Sequence, residues 1–334
     1  MRNLTVTAPP TAAPPAADEA GATAQAKKQK GAAKRRPSLS RRGELLTGYT
    51  FMTPWIIGSL VFTVGPMLWS LYLSFTDYHL VLGGDFIGFE NYRAMFEDPM
   101  FARAVKVTLL YVVLAVPLKL LASLAVAMLL TQKRRGIGFY RAAFYMPSLI
   151  AMSVGMALVW KALFAADGPQ DQFMSLFGWE GGGFIGNPDV SILMLVLLSV
   201  WTFGAPMVIF MAGLLQVPGE LYEAAEVDGA GKWHRFVHIT IPMLSPVIFF
   251  NVLMETVHAF QMFGPAFIIG GTAGGPAWST LFYTVRIYAL AFVDLRMGYA
   301  SAWAWMLVLA VGVVTLIMFR AAKNLVYYAG EDNR

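Results

Sequence analysis

The chain of 334 residues is 57% hydrophobic and only 13% charged, against roughly 25% charged residues in a soluble domain. That shortage points to membrane spans, so length is no guide to domain number. With no cysteine, disulfides, iron–sulfur clusters and thiolate zinc sites are excluded, and the net charge of +5 suggests nucleic acid only until the charges are located.

Most of the excess sits at the start, where residues 1–48 carry nine Lys or Arg against three acids. This Ala-, Pro- and Lys-rich stretch has almost no large apolar side chains, so it cannot bury enough surface to offset its chain entropy. It is expected to be a disordered, basic, cytoplasmic tail. No apolar run follows its first basic residues, so it does not read as a signal peptide. The cluster from Lys27 to Arg42 reads as a juxtamembrane cytoplasmic marker rather than a nucleic-acid site.

About 20 apolar residues cross the hydrocarbon of a bilayer. Six segments qualify, at about 50–75, 106–131, 142–164, 190–215, 241–263 and 298–320. The expected fold is therefore all-α: a polytopic membrane protein of six transmembrane helices, occupying 49–325, with a short tail at 326–334. Loop 132–141 carries Lys133, Arg134, Arg135 and Arg141, whereas loop 165–189 carries Asp167, Asp171, Glu180 and Asp189. Loop 76–105 has five acids against Arg93 and Arg103, and the end of the last span has Arg320 and Lys323. Bases mark the inside, so both termini are expected in the cytoplasm.

The loop 216–240 is then cytoplasmic too, yet it carries Glu220, Glu223, Glu226 and Asp228 against Lys232 and Arg235. Pro218 suits a first helical turn, and Glu220 and Glu223 interact favourably with the dipole at that end. Leu221, Ala224 and Ala225 form a small apolar face, and Gly229 suits the left-handed position that stops a helix. A second short helix, with Trp233, Phe236 and Val237 on one face, is expected until Pro242 opens the next span. Small alanines, flanking carboxylates, a dedicated stop and an aromatic anchor fit a docking surface better than a solvated loop.

These residues resemble the EAA loop of the membrane permeases of binding-protein-dependent ABC importers. Glu223, Ala224, Ala225, Asp228, Gly229, Ala230, Phe236, Ile239 and Pro242 match that pattern, while Gly231 stands where Ser or Thr is usual and Ile241 where Leu is usual. "GPMLWSLYLSFTDYHL", "FIGFENYRAMFEDP" and "GGTAGGPAWSTLFYTVRIYALAFVDLRMGYASA" resemble the first permease subunit of the maltose- and glycerol-phosphate-type carbohydrate branch. The resemblance covers most of 50–320. It implies a bacterial plasma-membrane protein that docks a cytoplasmic ATPase through Glu223, Ala224, Ala225, Asp228, Gly229 and Phe236. It also implies a second homologous permease, two ATPase copies, an extracellular solute-binding protein, and a sugar as substrate. A non-sugar solute such as glycerol phosphate is the alternative. ATP and Mg would be used by the partner ATPase, with no cofactor bound by this chain.

The chain itself lacks a phosphate loop. At the Gly231-Lys232 dipeptide, Glu226 stands in place of the first glycine and Trp233 in place of Ser or Thr. His234 and His238 lie four apart, but no third metal ligand completes a set. Inside span five, Asn251, Glu255 and His258 share one helical stripe with Gln261 at its edge. A charged group at the centre of a bilayer costs about 2.5–3.5 kcal/mol, so this stripe is expected to face protein or a watery path that binds sugar hydroxyls. Lys119 in span two is expected to snorkel or to bond between helices. An ion-coupled carrier would show internal repeats, and a membrane enzyme a buried catalytic set; neither pattern is visible.

Overall fold

The computed structural model describes residues 41–132, 135–150, 153–178 and 183–325. Residues 1–40 of the expected tail, the C-terminal tail 326–334, Lys133, Arg134 and Glu180 lie outside them. From Arg41 the chain is helical, which moves the boundary expected at residue 48. Helix α1, Arg41–Ser59, continues through a π turn at Leu60–Val64 into α2, Gly65–Leu73. Arg, Glu and Leu are strong helix formers, and Arg41, Arg42, Glu44, Leu45 and Leu46 carry the helix out beyond the apolar run. The chain divides into a unit ending at Gly65 and a second from Pro66 to Arg334; the elements from α3 onward belong to the second.

Helix α3, Glu90–Glu97, lies in the acidic loop after the first span. Buried Asn91 fixes this loop by donating to the carbonyls of Ser74 at 3.0 Å and Thr76 at 2.7 Å. Asp98 then caps α4, Pro99–Leu130, accepting from the Met100 amide. Pro99 sits in the first turn, where its missing N–H has no partner to lose.

Four helical segments are long and apolar enough to span: Tyr49–Leu73, Pro99–Leu130, Lys232–Gly270 and Met297–Lys323. Two bent pairs bring the candidate spans among the described residues to as many as six, if each pair is one span. The first pair, α5 at Ile137–Ile150 and α6 at Val154–Leu163, is bent by 95°. Ser153 takes extended backbone angles and accepts from the Met156 amide, so it begins a new helix. The expected single span 142–164 is thus two helices at a steep angle. After α7, Pro169–Ser175, the second pair is α8, Ser191–Trp201, and α9, Gly204–Leu214, bent by 43°.

The break in this fourth span has a local cause. Proline offers no N–H to the carbonyl four residues before it, so Pro206 leaves the oxygen of Thr202 without its helical donor. Ser148 of α5 supplies the substitute, its hydroxyl donating to the Thr202 oxygen at 3.0 Å. The Ser123 hydroxyl of α4 lies 2.7 Å from the Lys119 oxygen and 3.0 Å from the Phe203 oxygen, which also accepts from the Met207 amide. Irregular backbone at membrane depth is tolerated where protein groups re-satisfy it in this way. Gly204 permits the approach: a Cβ there would lie 2.7 Å from the Ser148 hydroxyl and 2.9 Å from the Phe144 oxygen.

Beyond the acidic loop come α10, Gly219–Val227, and α11, Lys232–Arg235. A π turn at Phe236–Thr240 leads into α12, Ile241–Phe260. Next are α13, Gly264–Gly270, α14, Tyr283–Tyr288, and α15, Met297–Leu325. One buried cluster joins α4, α8, α9 and α12 around Tyr111, Leu195, Met207, Phe210 and Leu244. A second joins the loop after the first span to α15 around Met95, Tyr283 and Trp303.

Candidate functional site

Two polar features interrupt this apolar scaffold. The first is the segment after Gln216. Pro218 stands at the N-cap of α10, one residue before the helical turn expected for it, and Glu220 lies in the first turn. The helix ends in a two-bond lock: the Ala230 amide donates to the Ala225 oxygen at 2.9 Å and the Gly229 amide to the Glu226 oxygen at 3.0 Å. This pairing needs a left-handed residue at its centre, and Gly229 supplies it with φ of +77°.

Beyond this corner the chain departs from the expected second short helix. Lys232–Arg235 runs through the π turn directly into α12, and Pro242 sits inside that continuous helix at its first turn. The π turn accommodates the proline's missing N–H: the Ile241 amide reaches back five residues to the Phe236 oxygen, and the helix runs on past Pro242. The segment is therefore a short helix, a glycine corner, and the protruding foot of span five. Its two arms are tied by Arg235 to Glu226 at 2.8 Å and by the Tyr222 hydroxyl to Thr240 at 2.9 Å. Glu226 is thus paired although its side chain stays exposed.

Glu220, Glu223, Ala224, Asp228 and Gly229 are exposed, Ala225 and Phe236 half-buried. Val227 is 89% exposed and Trp233 76% exposed, although neither gains by facing water. A recess of about 470 Å³ opens in the angle of the arms, lined by Ala225, Asp228, Gly229, Ala230 and His234 among others. His234 and His238 stack there at 4.0 Å. Small residues in the recess let another backbone approach, and the outward carboxylates suit a basic partner.

The second feature is a cavity of about 520 Å³ between the spans, lined by Glu255, His258 and Gln261 of the expected stripe. Asn251 is not among the lining residues. It is buried, and its side chain donates to the Val247 oxygen of its own helix at 2.9 Å. Lys119 enters the cavity wall instead, bonded through Nζ to Glu255 Oε2 at 2.8 Å. This is the interhelical bond expected as one of two fates for Lys119. Ser148, Ser199 and Thr202, beside the break in the fourth span, add hydroxyls to the wall. Sequence reading missed these three, because they matter only once the bend brings them together.

Comparison with known proteins gives this geometry a family. Residues 101–326 match the model of the binding-protein-dependent transport system inner membrane component. The chain belongs to this family. As a permease it is 42% identical over 304 residues to "Probable ABC transporter permease protein YesP" of Bacillus subtilis, covering 90% of this chain and 98% of that one. It is 32% identical to "Lactose transport system permease protein LacF" of Rhizobium radiobacter, covering 86% and 98%. A crystal structure of a bacterial ABC transporter involved in the import of the acidic polysaccharide alginate matches with a TM-score of 0.74 and 21% identity, covering 86% of the permease and 98% of that chain. At that identity the likeness establishes the fold. The permease is a membrane-spanning subunit of an ABC importer served by a solute-binding protein.

Proposed function

We propose that this permease passes a saccharide from an extracellular binding protein through the cavity at Glu255, His258 and Gln261. Its exposed segment at Glu223–Gly229 and Phe236 would be the handle moved by a cytoplasmic ATPase. The observation that carries this reading is the glycine-locked helix with carboxylates and uncovered apolar side chains outside the membrane spans. A helix with no cover of its own and a small-residue recess beside it fits a separate subunit.

The saccharide assignment is supported by relatives named for lactose, starch degradation products and multiple sugars. It is also supported by a cavity that combines hydroxyl, amide and charged groups. Polyhydroxylated ligands need such mixed donors and acceptors. In this reading a second permease completes the pore, two ATPase copies supply ATP hydrolysis with Mg, and this chain catalyses nothing. Both termini then lie in the cytoplasm, on the side of the coupling segment.

Deleting the gene and measuring uptake of a panel of radiolabelled saccharides tests the proposal. Uptake of at least one saccharide should disappear, return with the parent chain, and fail to return with a chain lacking residues 219–231. Unchanged uptake of every saccharide in the deletion strain would contradict it.

A further inference from the structure

Among the described residues, Lys119 and Glu255 form the one ion pair with both partners inside a candidate span. Their side chains are 14% and 12% exposed, so the pair is sheltered but not sealed, and both residues line the cavity. An ammonium has three donors and a carboxylate two acceptor oxygens. The 2.8 Å bond between Nζ and Oε2 uses one donor and one oxygen. The remaining capacity suits a vicinal diol, which can give a hydrogen bond to Glu255 and accept one from Lys119 without altering the charge of the wall.

A uronate or a phosphate meets a different situation. To reach Lys119 it must sit beside Glu255, placing two anions around one cation where water is scarce and charges are weakly screened. The other titratable side chains on the wall are Tyr111 and His258, and Lys119 is the one Lys or Arg among the lining residues. We infer that the Lys119–Glu255 pair is the charge filter of the path: intact, it passes uncharged saccharides and holds back acidic ones. This rests on the saccharide reading above and narrows it to neutral sugars.

The test uses the complete importer in detergent, without its binding protein. Binding is measured for maltose, cellobiose and lactose, and for the same disaccharides carrying a terminal uronate. The parent importer should favour the neutral members. Glu255→Gln frees Lys119 and should raise the acidic-to-neutral affinity ratio about tenfold, since unmatched like charges are costly at close range. The exchange Lys119→Glu with Glu255→Lys keeps the wall neutral and should restore the parent ratio, which separates charge from damage to the fold. An unchanged ratio in Glu255→Gln, or a parent that favours the uronates, overturns the filter and leaves saccharide import standing. A parent importer whose cells take up no saccharide overturns both.

Discussion

Around Gly229, the bonds that set the chain's course join near neighbours: Ala230 to Ala225, Gly229 to Glu226, and Arg235 to Glu226 nine residues away. Around the cavity, the bond from Lys119 to Glu255 spans 136 residues, Ser123 to Phe203 spans 80, and Ser148 to Thr202 spans 54. The first region is exposed and locally determined; the second is sheltered and exists only when four spans pack. A handle built locally can be damaged without disturbing the membrane domain. A wall built from distant parts cannot be altered without loading the packing that creates it. Stability and transport should therefore separate in the coupling segment and fall together in the cavity.

The largest effect is expected from Lys119→Met, which strands Glu255 as an unpaired sheltered charge. Breaking one side of a buried pair costs about 3–5 kcal/mol, so membrane abundance, thermal stability and uptake should all drop. Lys119→Met combined with Glu255→Gln should recover much of the stability. A single variant as stable as the parent would show that the pair carries no structural weight.

Gly204→Ala ranks second, because its Cβ would meet the Ser148 hydroxyl at 2.7 Å and the backbone of Phe144 and Tyr145 at 2.9 Å. Overpacking of this kind costs about 1–3 kcal/mol, read as a lower melting temperature of the purified complex together with reduced uptake. No loss of stability would mean that α5 and α9 can move apart freely.

Gly229→Val should behave in the opposite manner. Nothing lies within 4 Å of a Cβ at Gly229, but its φ of +77° disfavours side chains, at about 1–2 kcal/mol. Membrane abundance should stay near normal while ATPase recruitment and uptake are lost. Full uptake in this variant would contradict the idea that the corner sets the geometry of a handle.

The smallest effect is expected from Glu226→Gln. Its ion pair with Arg235 has the glutamate side chain 72% exposed, where such pairs contribute about 0.2–1 kcal/mol. Uptake should fall by no more than about fivefold on this scale; a loss comparable to Gly229→Val would mean that the Arg235 contact itself is part of docking.

The same contrast explains what the sequence disclosed. Gly229 as a helix stop, the exposed acids and the apolar runs depend on short-range chemistry, and each could be read from its neighbours. Pro242 misled, because the π turn just before it lets the helix continue without the proline's N–H. The steep bend between α5 and α6 escaped notice, since Ser153 resembles any small residue in an apolar run. Asn251 shares the spacing of Glu255 and His258, but spacing cannot tell a side chain that lines a cavity from one bonded to its own helix. Lys119 and Glu255 left a usable signal: two lone, opposite charges in separate spans seldom remain unpaired in a membrane.

Docking through the coupling segment is tested most directly by proximity, and the chain's lack of cysteine makes the measurement clean. Glu223→Cys places a single thiol on the exposed face of α10, and Val313→Cys places one on an exposed apolar position within the last span. In membranes from cells making the complete importer, a maleimide linked to an amine-reactive ester should join position 223, and not position 313, to the ATPase subunit. The thiol at 223 should also react with a membrane-impermeant maleimide only in inside-out vesicles. Labelling of position 223 from the outer face, or full labelling with no covalent product to the ATPase, would contradict the account.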